Sequence, residues 1–170
     1  MELVSVVVVA ISAVACITDL RSRRIPNVLT FGGALAALVY HTASGGAAGL
    51  LSACGGWGVG LAIFFLPFAL GGMGGGDIKL LAALGAWLGP AASVWLALYT
   101  GAVGGVLALS VALARGYLRT ALRNIWLLFS HWRVAGLAPL ADVSLRGCSG
   151  PRLAYAVPIF MGTVVTIWLH

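Results

Sequence analysis

The chain has 170 residues, of which 61% are hydrophobic and only 8% are charged, with a formal net charge of +6 at pH 7. Its mean hydropathy of +1.06 excludes an ordinary soluble domain and indicates an integral membrane protein. Because the apolar runs cover nearly the whole length, we expect one membrane-embedded domain over residues 1–170. The basic residues lie almost entirely outside these runs, as membrane topology signals do, so no nucleic-acid partner is expected.

The apolar runs predict an all-α, polytopic fold with six transmembrane helices, because about 20 apolar residues suffice to cross a bilayer. In chain order, the predicted spans are 3–18, 28–40, 47–70, 77–89, 91–114 and 153–169. The polar stretch HTASGG is expected to end the second span, and Gly89-Pro90 is a turn signal between the fourth and the fifth. Glycines at four-residue spacing, Gly56 with Gly60 and Gly101 with Gly105, favour close helix packing.

The positions of the arginines predict the orientation, because short cytoplasmic loops are enriched in Lys and Arg. The segment DLRSRRIPN carries three arginines and places the first loop in the cytoplasm, which leaves the N-terminus outside. Alternation through six spans then places the glycine-rich segment 71–76 and the loop 115–152 inside. All ten basic residues fall on this side, so the charge rule and the span count agree.

The cytoplasmic loop 115–152 begins with an amphipathic pattern. Arg115, Arg119 and Arg123 recur every four residues, and leucines, Trp126 and Phe129 fill the opposite face. This pattern predicts an interfacial helix that directs its cations toward the headgroups of the lipid bilayer.

Two of the four acidic residues, Asp19 and Asp77, stand at helix ends that the predicted topology places on the cytoplasmic side. Ionisable groups at membrane depth are costly, so a functional role is the first hypothesis. A structural role remains open for both residues. Asp77 can cap the start of its helix, and Asp19, at a helix C-terminus where the dipole disfavours an anion, can pair with Arg21 or Arg23.

The functional interpretation is an aspartyl dyad. Two neighbouring carboxyl groups cannot both ionise easily, so they share a proton and titrate as a unit. The ionised member can deprotonate a water that attacks a peptide carbonyl, and the neutral member can protonate the carbonyl oxygen. This chemistry needs no metal and no cofactor, and the cytoplasmic rim supplies the water.

The stretch GGGDIKLLAALGAWLG contains Gly-x-Gly-Asp, and in this respect it resembles the intramembrane aspartyl peptidases that include presenilin and the type IV prepilin peptidases. The upstream DLRSRRIPN resembles the other aspartate motif of the prepilin peptidases. With both motifs and this span count, the chain looks like the short, single-domain members of tight-adherence (Flp) pilus assembly, the TadV or CpaA type. It begins directly with a span, so we expect neither the zinc site nor the N-methyltransferase activity of the larger members.

The resemblance implies that Asp19 and Asp77 are the catalytic pair of a bacterial inner-membrane endopeptidase. Its substrate would be a prepilin or pseudopilin whose basic leader precedes an apolar helix, with cleavage after a glycine at the cytoplasmic boundary. The pilus assembly machinery is a further implied partner.

Several neighbours of the two aspartates are candidate supporting residues. Gly74, Gly75 and Gly76 lack Cβ atoms and could let a substrate backbone lie close to the carboxylate. Lys79 could orient the substrate or tune the dyad, or it could simply be an interfacial anchor. Asn27 could hydrogen-bond a catalytic aspartate, although helix capping is the favoured interpretation. No role is assigned to Tyr155, at the start of the last predicted span.

The histidines and cysteines predict no metal site. His41, His131 and His170 fall on both sides of the predicted membrane, and the three cysteines form no CxxC pair. Two other functions remain as alternatives: a small proton- or cation-coupled transporter that uses Asp19 and Asp77, which would favour carboxylates nearer mid-membrane, and a non-catalytic assembly subunit.

Overall fold

The computed structural model describes residues 2–69, 73–116, 118, 119, 123, 126 and 154–169. Four helices of more than one turn lie in these ranges: α1 (Glu2–Ser22), α2 (Asn27–Ala69), α3 (Gly75–Ala114) and α4 (Ala156–Leu169). None of the described residues belongs to a strand, which agrees with the predicted all-α class. Most of the predicted interfacial helix and of the loop 115–152 lies outside the described residues, so both stay predictions.

Three of these helices, α1, α2 and α3, are long and apolar enough to cross a membrane, and α4 is a shorter apolar helix of 14 residues. The prediction of six spans is therefore not confirmed as it stands. The difference arises because α2 has 43 residues and α3 has 40, and each covers two of the predicted spans. The number of membrane crossings stays a prediction.

Both long helices contain one residue with non-helical backbone angles. These residues are Gly46, at φ 58° and ψ −141°, and Gly89, at φ 79° and ψ 174°. Positive φ is accessible to glycine without the steric penalty that a Cβ brings. Gly89 coincides with the predicted turn, where Pro90 also removes a backbone donor. Each long helix therefore has two arms, 27–45 and 47–69 in α2, and 75–88 and 90–114 in α3.

The arms of each helix fold back on one another. A Cβ built on Gly49 would collide with the carbonyl of His41, and one on Gly85 would lie 2.8 Å from the hydroxyl of Ser93. Residues eight positions apart are separated by about 12 Å along a straight helix. The contacts therefore show a sharp reversal of the chain at Gly46 and at Gly89.

The polar stretch HTASGG does not end the helix where the sequence suggests. Residues 41–45 remain helical. The hydroxyl of Thr42 donates to the carbonyl of Leu38 at 2.6 Å, and that of Ser44 donates to the carbonyl of Tyr40 at 2.9 Å. Because these hydroxyls bond within their own helix, polar composition alone does not end it.

The first arm of α3 is the centre of the fold. Every residue from 80 to 87 is buried, as expected for a helix that is apolar all round. One side faces the first arm of α2, where the indole of Trp87 donates to the carbonyl of Gly33 at 2.9 Å. The other side faces the second arm of α2, where Gly56 lies so close that a Cβ would collide with the carbonyl of Gly85.

The two glycine pairs therefore differ. Gly56 and Gly60 lie against backbone atoms of Gly85 and Leu81, so the predicted close packing is confirmed there. For Gly101 and Gly105, no atom of the described residues comes within 4 Å of the position that a Cβ would take. Spacing alone did not distinguish a packed glycine pair from an open one.

A cavity of about 430 Å³ lies at one end of the bundle and is lined by residues of all four helices. We call it the aromatic cavity, because Tyr40, His41 and Trp87 form its wall with ring centroids 5.3 to 6.2 Å apart. The Nε2 atom of His41 lies 3.0 Å from the carbonyl oxygen of Trp87. That carbonyl belongs to the last turn before the break at Gly89, where the helix leaves carbonyls without their usual partners. His41, which belongs to α2, therefore caps the C-terminal end of the first arm of α3.

Candidate active site

A second cavity, of about 290 Å³, lies where the end of α1 meets the starts of α2 and α3. We call it the dyad cavity. Its lining residues include all seven candidate site residues: Asp19, Asn27, Gly74, Gly75, Gly76, Asp77 and Lys79. The structure thus brings together two sequence motifs that are far apart along the chain.

Asp77 lies in the first turn of α3, three residues after the N-cap Gly74. Its carboxylate accepts a hydrogen bond from the backbone N–H of Gly74, which is the reciprocal half of a capping box. A Cβ at residue 74 would lie 2.8 Å from Oδ2 of Asp77. Asp77 therefore does cap its helix, and Gly74 leaves the space that this carboxylate occupies.

Asp19 lies in the last turn of α1 and is only 9% exposed. Arg23 adopts a positive φ of 53° and donates its backbone N–H to the carbonyl of Asp19 at 2.9 Å. This is a left-handed helix cap that is built on an arginine rather than on the usual glycine. The cap turns the chain after Ser22, so that Arg23 and Arg24 line the same cavity as the buried carboxyl group. The cap therefore brings two cations to the end of α1, where the helix dipole disfavours an anion.

The two carboxyl groups interact electrostatically, since the charge of Asp19 acts on Asp77. They approach from different helices at the same end of the bundle, and both line one cavity. Such an arrangement can hold one proton between two carboxyl groups and act on a water molecule and a carbonyl group.

Two of the glycines before Asp77 let other parts of this chain pack close to the start of α3. A Cβ at Gly76 would lie 3.2 Å from Cβ of Ile25, and one at Gly75 would lie 3.4 Å from the ring of Phe68. Gly76 therefore lets the short link between α1 and α2 pack against the start of α3. The sequence predicts space for a substrate backbone at these glycines. In the structure, the positions that Cβ atoms would take at Gly75 and Gly76 lie against atoms of this chain.

Lys79 and Asn27 are joined directly. The ammonium of Lys79 donates to Oδ1 of Asn27 at 3.2 Å and lies 5.2 Å from the ring centroid of Phe31. Helix capping was the favoured role for Asn27, but the backbone bonds that open α2 go to the carbonyl of Pro26. The amide oxygen of Asn27 instead holds the lysine, because α2 and α3 begin side by side.

Some residues near the dyad were missed from the sequence. Arg24 and Ile25 line the cavity together with Arg23, which the sequence offered only as a possible partner of Asp19. Their signal was their place in the motif DLRSRRIPN. Tyr155, which had no assigned role, lies close enough to Asp77 to feel its charge. Its hydroxyl would be 2.9 Å from a Cβ at Gly104. Tyr155 falls within the last predicted span, 153–169, and nothing in its position along the chain marked it as a neighbour of Asp77. Within the described ranges, no three His, Cys, Asp or Glu residues are grouped in a way that could hold a metal ion.

Comparison with known proteins gives one match. No curated protein and no solved structure matches the chain. The sequence model of the type IV leader peptidase family matches residues 6–109, a range that contains both aspartates and more than half of the chain. The chain belongs to the type IV leader peptidase family.

Proposed function

We propose that this membrane-embedded protease is an aspartyl endopeptidase that removes the basic leader of type IV prepilins or pseudopilins of the Flp/Tad type. Cleavage follows a glycine at the cytoplasmic boundary of the membrane. The observation that carries the proposal is the dyad cavity, which Asp19 and Asp77 line together in a chain that belongs to this peptidase family. The family match does not support the alternative of a proton- or cation-coupled transporter.

The proposed reaction uses the two carboxyl groups with one proton between them. The ionised carboxyl group takes a proton from water, and the water oxygen attacks the scissile carbonyl carbon. The neutral carboxyl group gives its proton to the carbonyl oxygen. When the C–N bond of the tetrahedral intermediate breaks, the protonated carboxyl group gives its proton to the departing amine. A hydroxyl group of the intermediate gives its proton to the other carboxylate as the carbonyl re-forms, so the dyad is again singly protonated. The surrounding cavity keeps both carboxyl groups at helix ends, where water and an extended peptide can reach them.

The proposed membrane arrangement has six crossings, with the N-terminus outside and the dyad on the cytoplasmic side of a bacterial inner membrane. The lengths of α2 and α3 support this arrangement. At 1.5 Å per residue, 43 and 40 residues extend over roughly 65 and 60 Å, about twice the 30 Å hydrocarbon core. The reversals at Gly46 and Gly89 fold each helix into two arms. Three of the four arms have at least 19 residues, whereas 75–88 is shorter, at about 21 Å. The basic residues then all lie on the side of the dyad, next to the substrate leader and the pilus assembly machinery.

The test is leader removal from a co-expressed Flp-type prepilin, followed on a gel. Asp19→Asn and Asp77→Asn keep the size of the side chain and remove its acid–base chemistry, so each is expected to slow cleavage by about 100-fold or more. Glu2→Gln is the matched control, because it removes a carboxylate from the first turn of α1, far from the dyad. Cleavage at the wild-type rate by either Asn variant would reject the dyad and with it the proposed function.

A further inference from the structure

Lys79 is the only lysine in the chain, and its ammonium is fixed from two directions. On one side it donates to Oδ1 of Asn27 at 3.2 Å. On the other it lies over the ring of Phe31, 5.2 Å from the centroid, within the range of a cation–π interaction. Both partners belong to the first two turns of α2, whereas Lys79 belongs to the first two turns of α3. The long, flexible side chain of Lys79 is thereby held in one place.

Lys79 and Asn27 both line the dyad cavity, together with Asp19 and Asp77. An ammonium has three N–H donors, and the hydrogen bond to Asn27 uses one. Residues two positions apart on a helix do not face each other, so Lys79 contributes to a different side of the cavity from Asp77. The cavity therefore presents proton-transfer groups on one wall and a hydrogen-bond donor on another.

We propose that Lys79 is a substrate-binding residue whose ammonium binds an oxygen acceptor of the peptide that lies in the dyad cavity, and that Asn27 and Phe31 are its positioning residues. The inference rests on the proposed peptidase function. We assign the acceptor to a main-chain carbonyl next to the scissile bond. Every peptide that places a scissile bond at the dyad brings such carbonyls with it, whereas an acidic side chain depends on the substrate.

A simple anchoring role does not account for this geometry. A lysine that only marks the membrane interface extends its ammonium into water or toward headgroups. Here the ammonium is shared between an amide oxygen and an aromatic face. Because these two contacts hold it in place before a peptide binds, less side-chain freedom is lost on binding, so the arrangement favours binding.

The kinetic test measures the cleavage of a synthetic Flp-type prepilin peptide by the purified full-length protein in detergent. Lys79→Met is expected to raise KM by about 10- to 100-fold, the value of one charge-assisted hydrogen bond, with kcat little changed because the dyad is intact. Lys79→Arg keeps the charge and is expected to recover part of the loss. Asn27→Ala and Phe31→Leu are each expected to raise KM by about 3- to 10-fold.

The positioning role has its own test, because Asn27 and Phe31 act through Lys79. Adding Asn27→Ala to Lys79→Met is expected to have no further effect on KM, as for residues that are coupled in one interaction. Gly32→Ala is the matched control in the same part of α2. No atom lies within 4 Å of the position of its Cβ, and it is expected to behave as the wild type. Additive effects of Asn27→Ala and Lys79→Met would overturn the positioning role.

A labelling experiment tests binding without cleavage. An amine-reactive acylating reagent can modify only the N-terminus and Lys79, and mass spectrometry distinguishes the two sites. In the Asp77→Asn protein, saturating peptide is expected to protect Lys79 by at least about fivefold relative to the N-terminus. A second peptide, in which every acidic side chain is replaced by its amide, is expected to protect equally.

The outcomes separate the two proposals. If the Asn variants of the dyad abolish cleavage but Lys79→Met leaves KM unchanged and the peptide gives no protection, the peptidase function stands and the role of Lys79 is rejected. If only the acidic peptide protects, the acceptor is a carboxylate and the assignment to a main-chain carbonyl is overturned. If Lys79→Met does not fold, the KM values of Lys79→Arg and Asn27→Ala and the labelling result decide the matter.

Discussion

The two ends of the bundle are built in different ways. The dyad cavity is lined by five charged residues and three glycines, and it lies against a short link between helices. The aromatic cavity is larger, at about 430 Å³, and none of its lining residues is Asp, Glu, Lys or Arg. Hydrogen bonds from His41 and the hydroxyl of Ser93 hold the chain reversal at that end. The difference teaches that the uncharged end of this small fold holds a chain reversal, whereas the charged groups that the proposed chemistry needs are gathered at the other end.

The largest effect is expected from Gly74→Ala at the dyad end. The backbone at Gly74, with φ −77° and ψ 147°, suits alanine, so the strain is confined to the contact of 2.8 Å between its Cβ and Oδ2 of Asp77. The displaced carboxylate is expected to lower the rate of leader cleavage by about 100-fold, as a misplacement of about 1 Å does in enzymes. The melting temperature should stay close to that of the wild type. A variant that cleaves normally would show that the position of Asp77 is not critical.

The second largest effect is expected on stability, from a substitution in the middle of the fold between the two ends. Gly56→Ala forces a Cβ into the backbone of Gly85 and is expected to lower the free energy of unfolding by about 2 kcal/mol, the usual cost of overpacking. Gly58→Ala, on the open face of the same arm with no atom within 4 Å, is the control. It should be neutral or stabilising by up to about 1 kcal/mol. Reversible unfolding in mixed detergent micelles measures both, and equal values would contradict the packing described above.

The smallest effect is expected at the aromatic end. His41→Phe keeps a ring in the wall of the cavity but removes the donor to the carbonyl of Trp87. It is expected to cost about 1 kcal/mol of unfolding free energy, without a change in the cleavage rate. Ser44→Ala, which loses only a bond within its own helix, should cost less. A large loss of cleavage in His41→Phe would contradict the division of roles between the two ends.

The sequence predicted the positions of Asp19 and Asp77 at one end of the fold because charge placement and span length are local features. Gly89-Pro90 was predicted as a break for the same reason. The contacts of Lys79 with Asn27, of Ile25 with Gly76 and of His41 with Trp87 were not predicted. Each of these contacts joins residues that are about 50 positions apart in the sequence. Each also depends on how two segments of the chain are rotated relative to one another. Hydrophobic periodicity carries little information on that rotation when helices are apolar all round.

The burial of residues 80 to 87 on every side has a mechanical consequence. The arm that carries Asp77 is enclosed by both arms of α2 and cannot shift without breaking close backbone contacts at Gly56 and Gly60. Asp19 stands on α1, which packs mainly on α4, less on α3 and least on α2. We therefore expect that any movement that brings the two carboxyl groups closer together displaces α1 rather than the buried arm of α3. Distances from a spectroscopic label on α1 to the rest of the protein are then expected to change when substrate binds. Distances among labels on the buried arm and on α2 are expected to stay the same.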